Sequence, residues 1–430
     1  MSDSEVKTQP ALPRFFCVRQ HFAARAIKDV EAAVVKSLDG AKLTDKIQPD
    51  QSVAIATGSR GIASIDVVVQ AVVRYVQAIG ARPFIVPAMG SHGGATAEGQ
   101  SRVLASLGIT AESMGCPIES SMETVVVGTA DDILPIHFDR FASQADHVIV
   151  INRIKSHTRL VGDIESGLNK MLMIGLGKHR GAITYHQAFA NYEYQLDRIA
   201  RSVVPVIVRQ LPITLGIAIV EDAFDCISRV EAIEPENFLA QEPRLLQLAR
   251  EGMARLPFDH ADLLIVDRIG KEISGTGMDT NVVGRKANDR AAAENEVPKI
   301  REIFVRSLTE KTNGNATGIG IAEYCRTQVP REMNLEMTRI NCITSGHVSA
   351  GAVPLHFESD REVLDAALPQ ARDASSGGAK WIWIRDTLHL STVACSQAYW
   401  AAAQGRDDLD VIDSPRELDF DSAGNLVAWD

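Results

Sequence analysis

SVAIATGSRG, residues 52–61, is a short apolar run that breaks into glycine, serine and arginine. Residues 65–79 then repeat apolar side chains at helical spacing and stop at Gly80, a residue suited to ending a helix. PFIVP (83–87) is a second apolar run, and it opens into Ala88-Met89-Gly90-Ser91-His92-Gly93-Gly94. The next helical pattern spans 97–107 and is closed by Gly108. Strand, glycine loop, helix, glycine, strand is the order of a βαβ unit. Parallel neighbours need such a crossover, so the pattern predicts a mainly parallel sheet.

The alternation continues outward from this stretch. Strands are expected at 123–127, 133–138, 147–151 (HVIVI) and 214–220, with a helix over 194–209. The pattern restarts at 261–266 (ADLLIV), and further strands are expected at 339–344 (RINCIT) and 381–384 (WIWI), while 298–315 gives no clean element. Trp381 and Trp383 alternate along their strand, so both rings are expected on one face, in a core. A chain of 430 residues exceeds what one core usually supports. The expectation is an α/β protein of two domains, residues 1–258 and 259–430, each built on a mainly parallel sheet.

Hydrophobic residues make up 45% and charged residues 23% of the chain, an ordinary globular balance. A net charge of -11 argues against non-specific nucleic-acid binding, which needs basic surface to displace counterions. It leaves room for a small anion, because a few focused cations outweigh a diffuse field. The polar, acidic start lacks the pattern of a signal peptide, and no apolar run reaches the roughly 18 residues of a membrane span. The six cysteines are scattered without a CxxC pair. A reduced cytoplasmic setting is expected, with neither a structural zinc nor an iron–sulfur site.

Ligands of open α/β sheets bind beyond the carboxyl ends of the strands, so polar residues there carry the functional reading. Four loops qualify. Arg60, in TGSRG, can grip a carboxylate or phosphate, or it is simply an exposed turn residue. His92, in GSHGG, can carry protons beside glycines that admit a ligand, or it is a backbone-bonded turn histidine. Residues 152–186 bring Arg153, Lys155, His157, Arg159, Lys170, Lys178, His179, Arg180 and His186 into one cationic region of an acidic protein. Within it Lys170 lies in the apolar stretch GLNKMLMIGLG, either snorkelling to solvent or desolvated into a nucleophilic amine. His179, between Lys178 and Arg180, reads as a surface residue. The fourth loop, DRIGKEISGTGMD, offers Lys271, but it fits neither a Walker nor a Rossmann pattern. His347, expected after a strand, and His389 are weaker candidates.

GSHGG with His92, KSHT with His157, GLNK with Lys170 and TYH with His186 occur in this order. Together they resemble the lactate racemase family, nickel-pincer-dependent racemases and epimerases of 2-hydroxyacids. The resemblance implies two α/β domains with the active site in the cleft between them. It implies a nickel-pincer nucleotide that binds nickel through carbon and two sulfurs and is tethered to Lys170, with His186 as the remaining metal ligand. It assigns His92 and His157 as the acid/base pair, and Arg60 and Lys271 as the residues that hold the substrate carboxylate. It implies a small anionic hydroxyacid as substrate and cofactor-biosynthesis proteins as partners. Thr57 stands where the family has an aspartate, and the interval from His157 to Lys170 is longer than in the lactate enzymes. Other hydroxyacid redox or lyase chemistry, or non-catalytic binding of an anionic ligand, are the alternative readings.

Overall fold

The computed structural model describes residues 11–58, 62–131, 133–371 and 378–429. They form two compact units, one from residues 23–253 and one that joins the N-terminal stretch up to residue 22 with the chain from 254 onward. The strands in chain order are β1 (Phe15–Gln20), β2 (Ser52–Thr57), β3 (Arg82–Pro87), β4 (Thr124–Ala130), β5 (Leu134–Asp139), β6 (His147–Arg153), β7 (Ile213–Glu221), β8 (Ile227–Ile233), β9 (His260–Ile269), β10 (Lys299–Leu308), β11 (Tyr324–Arg326), β12 (Leu355–Phe357), β13 (Trp381–Ile384), β14 (Thr392–Ser396) and β15 (Leu409–Val411).

In the unit 23–253, five strands lie in the order β3-β2-β6-β7-β8, parallel except for β8. The interior strands are near-continuous apolar runs because both faces are covered. Alternate side chains serve two different cores. Val53 and Ile55 of β2 pack with Val68, Val69, Val72 and Val76 of the helix Ile65–Ala78. Ala54 and Ala56 turn the other way, toward Leu172 and Met173 of the helical run 168–188 and Val203 of the helix Leu196–Gln210. Alanines at these positions leave room for that run to approach the sheet. The strands expected at 123–127 and 133–138 form the hairpin β4–β5, which is a small sheet of its own.

In the other unit, eight strands follow the order β12-β11-β10-β9-β13-β14-β1-β15. β12 through β13 are mutually parallel, and the last three pairings are antiparallel. Trp381 and Trp383 are buried in one core cluster, as expected from their alternation.

Two local expectations are corrected. RINCIT is helical, as the end of the helix Leu335–Thr344, which the Asn334 side chain caps at Met337 N. Only Thr338 and Cys342, four residues apart, are buried, whereas Ile340 and Ile343 face solvent. The β-branched content mimicked a strand and the exposed isoleucines hid the helical period. His347 therefore follows a helix. Conversely, the charged stretch KIREIFVRSL is the interior strand β10. Its Arg306 is neutralised by Asp267 at 2.6 Å and Asp360 at 2.7 Å, partners that come from distant strands and helices.

No helix among the described residues is long and apolar enough to cross a membrane.

Candidate functional site

From β2 the chain crosses over to β3 on one side of it, and later places β6 on the other. The point between β2 and β6 is therefore where the strand order reverses, and ligands of such sheets bind outside the carboxyl ends there. Gly58 leaves β2 at this point. A Cβ on Gly58 would stand 3.1 Å from Met171 Cε and 3.5 Å from Asn152 Oδ1. The absent side chain is what lets the β2 loop, the end of β6 and the helical run meet. Arg60 lies outside the described residues.

The loop after β3 is tied to the same run. Gly90 N donates to Gly175 O at 3.3 Å, and the buried Gln100 side chain donates to Gly90 O at 2.9 Å. Gly93 and Gly94 have φ of +66 and +68, and a Cβ on Gly93 would come within 2.6 Å of Gln100 N. Glycine at 93 is thus a steric requirement. The loop holds His92 at an exposed position.

Beyond β6, Asn152 Nδ2 donates to Gly167 O at 2.7 Å and Lys155 N donates to Ser166 O at 2.9 Å. These bonds close the intervening loop on itself. His157 sits inside it. Its backbone N–H donates to the buried Glu165 carboxylate at 2.7 Å. Its Nδ1 accepts from Arg159 N and Leu160 N, both at 3.0 Å. A nitrogen that accepts two backbone N–H groups carries no proton, so the neutral ring holds its proton on Nε2.

Lys170, half-buried, follows the turn that Gly167 opens. The next turn is wide: Leu176 N donates to Met171 O, five residues back, at 2.9 Å. Single wide turns of this kind are frequent at functional sites. The helix Lys178–Ala188 then carries His186. The His186 ring meets solvent, yet its pKa is lowered to about 4, first by desolvation, then by the charges of Lys170 and Arg159. The Lys170 charge is close enough to be felt at this ring. The helical run thus brings together two residues that stand sixteen positions apart in the sequence. Arg159 stacks over Tyr194 at 4.4 Å from the ring centre and donates to its hydroxyl at 2.9 Å.

Two other cations of this region are structural. Arg153 pairs with Glu221. Lys178 is fully buried, 3.1 Å from Asp139, and donates to the carbonyl of Pro87. Two buried groups escape a reading of the sequence. Lys178 looked like part of a surface KHR cluster. Glu242, on the helix Phe238–Gly252, accepts from Asn169 N at 3.0 Å and Asn169 Nδ2 at 2.9 Å, and burial raises its pKa to about 7. It is the residue that holds the turn before Lys170, and its only sequence signal is an acid on the apolar side of an amphipathic helix.

In the other unit, Lys271 follows β9. Its backbone N–H donates to Thr312 Oγ1 at 3.2 Å and its ammonium donates to Gly275 O at 2.7 Å. His347 pairs with Asp289 at 2.7 Å, and His389 with Asp386 at 2.6 Å.

Residues 14–196 match the family model described as the lactate racemase N-terminal domain. This part of the chain is similar to the lactate racemase N-terminal domain family. The whole fold is lactate racemase-like as well: it resembles the structure of the lactate racemase apoprotein from Thermoanaerobacterium thermosaccharolyticum with a TM-score of 0.55. That likeness covers 86% of this chain and 94% of the other at 14% identity. No curated protein sequence matches the chain. His92, His157, Lys170 and His186 all fall inside the segment that matches the lactate racemase family.

Proposed function

We propose that the protein is a racemase or epimerase of a 2-hydroxyacid that works with a nickel-pincer nucleotide tethered to Lys170. The observation that carries this reading is that Lys170 stands close enough to His186 for its charge, with desolvation, to hold the imidazole neutral near pH 7. A metal ligand must offer a lone pair, and an imidazole whose pKa is about 4 offers one throughout the neutral range. Among the described residues no group of three or more His, Cys, Asp or Glu could hold a metal ion. A donor set of one imidazole fits a metal whose other ligands come from an organic pincer. When bound, the metallated pyridinium supplies an acceptor for the hydride at C2 of the substrate.

The remaining roles belong to the chain. Lys170 fixes the group at the mouth of the β2–β6 point, and His186 supplies the fourth ligand. His92 and His157 handle the proton of the substrate hydroxyl, with the Nε2–H of His157 presented as a donor. Arg60 and Lys271 hold the carboxylate. A cytoplasmic setting and partners that build the cofactor belong to the same reading.

The test is the mass of the chain purified from cells that also express the cofactor-making genes. The expected result is a covalent adduct, lost in Lys170→Ala, with one nickel per adduct. An unmodified chain overturns the reading. Incubation of single enantiomers in deuterated water then defines the reaction. Inversion with little deuterium at C2 is expected, whereas a net redox or elimination product would assign the scaffold to other hydroxyacid chemistry.

A further inference from the structure

The eight-stranded sheet has its own reversal of strand order. From β9 the chain moves outward through β10, β11 and β12, and then places β13 on the opposite side of β9. β9 and β13 are parallel, so their carboxyl ends lie at one edge, and the crevice outside that edge is where such sheets bind ligands. Arg268 near the end of β9, with Asp386 and His389 past the end of β13, forms a constellation that neither the family reading nor the site above uses.

Asp386, two residues beyond β13, is fully buried. Its Oδ1 accepts from Leu388 N at 3.0 Å, His389 N at 3.1 Å and His389 Nδ1 at 2.6 Å. Its Oδ2 accepts from Nε of Arg268, near the end of β9, at 3.0 Å. Burial pulls this carboxyl up, but the hydrogen bonds from His389 and Arg268 outweigh it and hold the group below its usual range, ionised. An ionised carboxylate on Nδ1 fixes the proton there and leaves the lone pair on Nε2. The His389 side chain is half exposed, at 53%. Arg268 spends only its Nε on Asp386, and it is 35% exposed. The planar amino edge of its guanidinium suits a carboxylate. One buried carboxylate thus orients a hydrogen-bond acceptor and a carboxylate receptor on its two oxygens, and Arg385 adds positive charge 3.8 Å from it. A ligand that satisfies both must accept at one end and donate at the other.

We propose that the β9–β13 edge is a binding site for a small carboxylate that carries a hydroxyl group, with the carboxylate on Arg268 and the hydroxyl donating to Nε2 of His389. Asp386 acts as the positioning residue. The site is complete within its own unit and does not depend on the nickel reading, because it needs no cofactor.

The test uses the full-length chain made without the cofactor genes, labelled with 15N at histidine. Long-range proton–nitrogen spectra, with His389 assigned through His389→Gln, are expected to show the Nδ1–H tautomer. Glycolate is expected to shift the His389 signals, acetate to shift them more weakly, and Arg268→Gln to weaken glycolate binding at least ~10-fold, the scale of one lost charged contact. An Nε2–H tautomer, or His389 signals that glycolate leaves in place, overturns the proposal. If Arg268→Gln does not fold, Arg268→Lys keeps the charge beside Asp386 but lacks the planar edge, and unchanged glycolate affinity in that variant equally overturns it. Failure of the adduct experiment would leave these spectra unaffected, so the two readings fail separately.

Discussion

Lys178 and Asp139 face each other 3.1 Å apart with neither side chain exposed to solvent. The lysine reaches from the start of the His186 helix to the carbonyl of Pro87, the last residue of β3. It is therefore a strut between the helical run and the loop that carries His92. Its backbone adopts φ +54, a conformation that side-chain-bearing residues rarely enter. Lys178→Met leaves Asp139 buried without its cation. The expected loss is about 3–5 kcal/mol of stability. Chemical denaturation of the variant checks this, and a change near zero would mean that water reaches the carboxylate.

Glu242 gives a pH signature. Its pKa is raised from 4.5 to about 7 by burial, so the folded chain keeps a proton that the unfolded chain has already released between those values. Stability contributed by this group is present below pH 4.5 and declines as pH rises toward 7. At full effect the decline is roughly 3 kcal/mol. Glu242→Gln removes the titration while keeping an acceptor for Asn169. Urea denaturation across this window is expected to show a flatter pH dependence in the variant than in the parent.

Lys170 and His186 are coupled through charge. A neighbouring ammonium disfavours the imidazolium, which is one reason the His186 pKa is lowered to about 4. Lys170→Met is therefore expected to raise the His186 pKa, and conversion of the amine to an amide-like tether is expected to do the same. Histidine proton shifts followed against pH check both. An unmoved His186 titration in Lys170→Met would separate the two residues.

His157 is held in one tautomer by the backbone. Protonation at Nδ1 would break two hydrogen bonds from the backbone, at Arg159 and Leu160. In 15N spectra of the unliganded chain its neutral form should be the Nε2–H tautomer, and His157→Asn should loosen the 155–166 loop to hydrogen exchange. The opposite tautomer would show that the loop rearranges in solution.

The strands of the unit 23–253 and the loops that carry His92, His157 and Lys170 were legible because βαβ units write themselves into the chain as apolar runs ended by glycine. The switch point needed the sheet order, which depends on long-range pairing and is not written in any one segment. Lys178 and Glu242 were illegible for a related reason. A buried charge is recognisable only through its partner, and Asp139 and Asn169 lie 39 and 73 residues away. The helix ending in RINCIT misled because residue type, not spacing, dominates so short a window. Arg306 hid β10 because its neutralising acids belong to other elements.

β1 pairs with β14 and β15, near the opposite end of the chain. β1 is thus made well before the strands that satisfy its backbone groups, while residues 23–253 can collapse in between. During synthesis an apolar edge, Phe15-Phe16-Cys17-Val18, stays unpaired until β14 and β15 have been made. Such an edge is a template for wrong partners, and it makes the nascent chain a natural client of chaperones. Any rearrangement that moves the N-terminal strand to the C-terminus, beside β14 and β15, would convert this long-range closure into a local one and should speed folding.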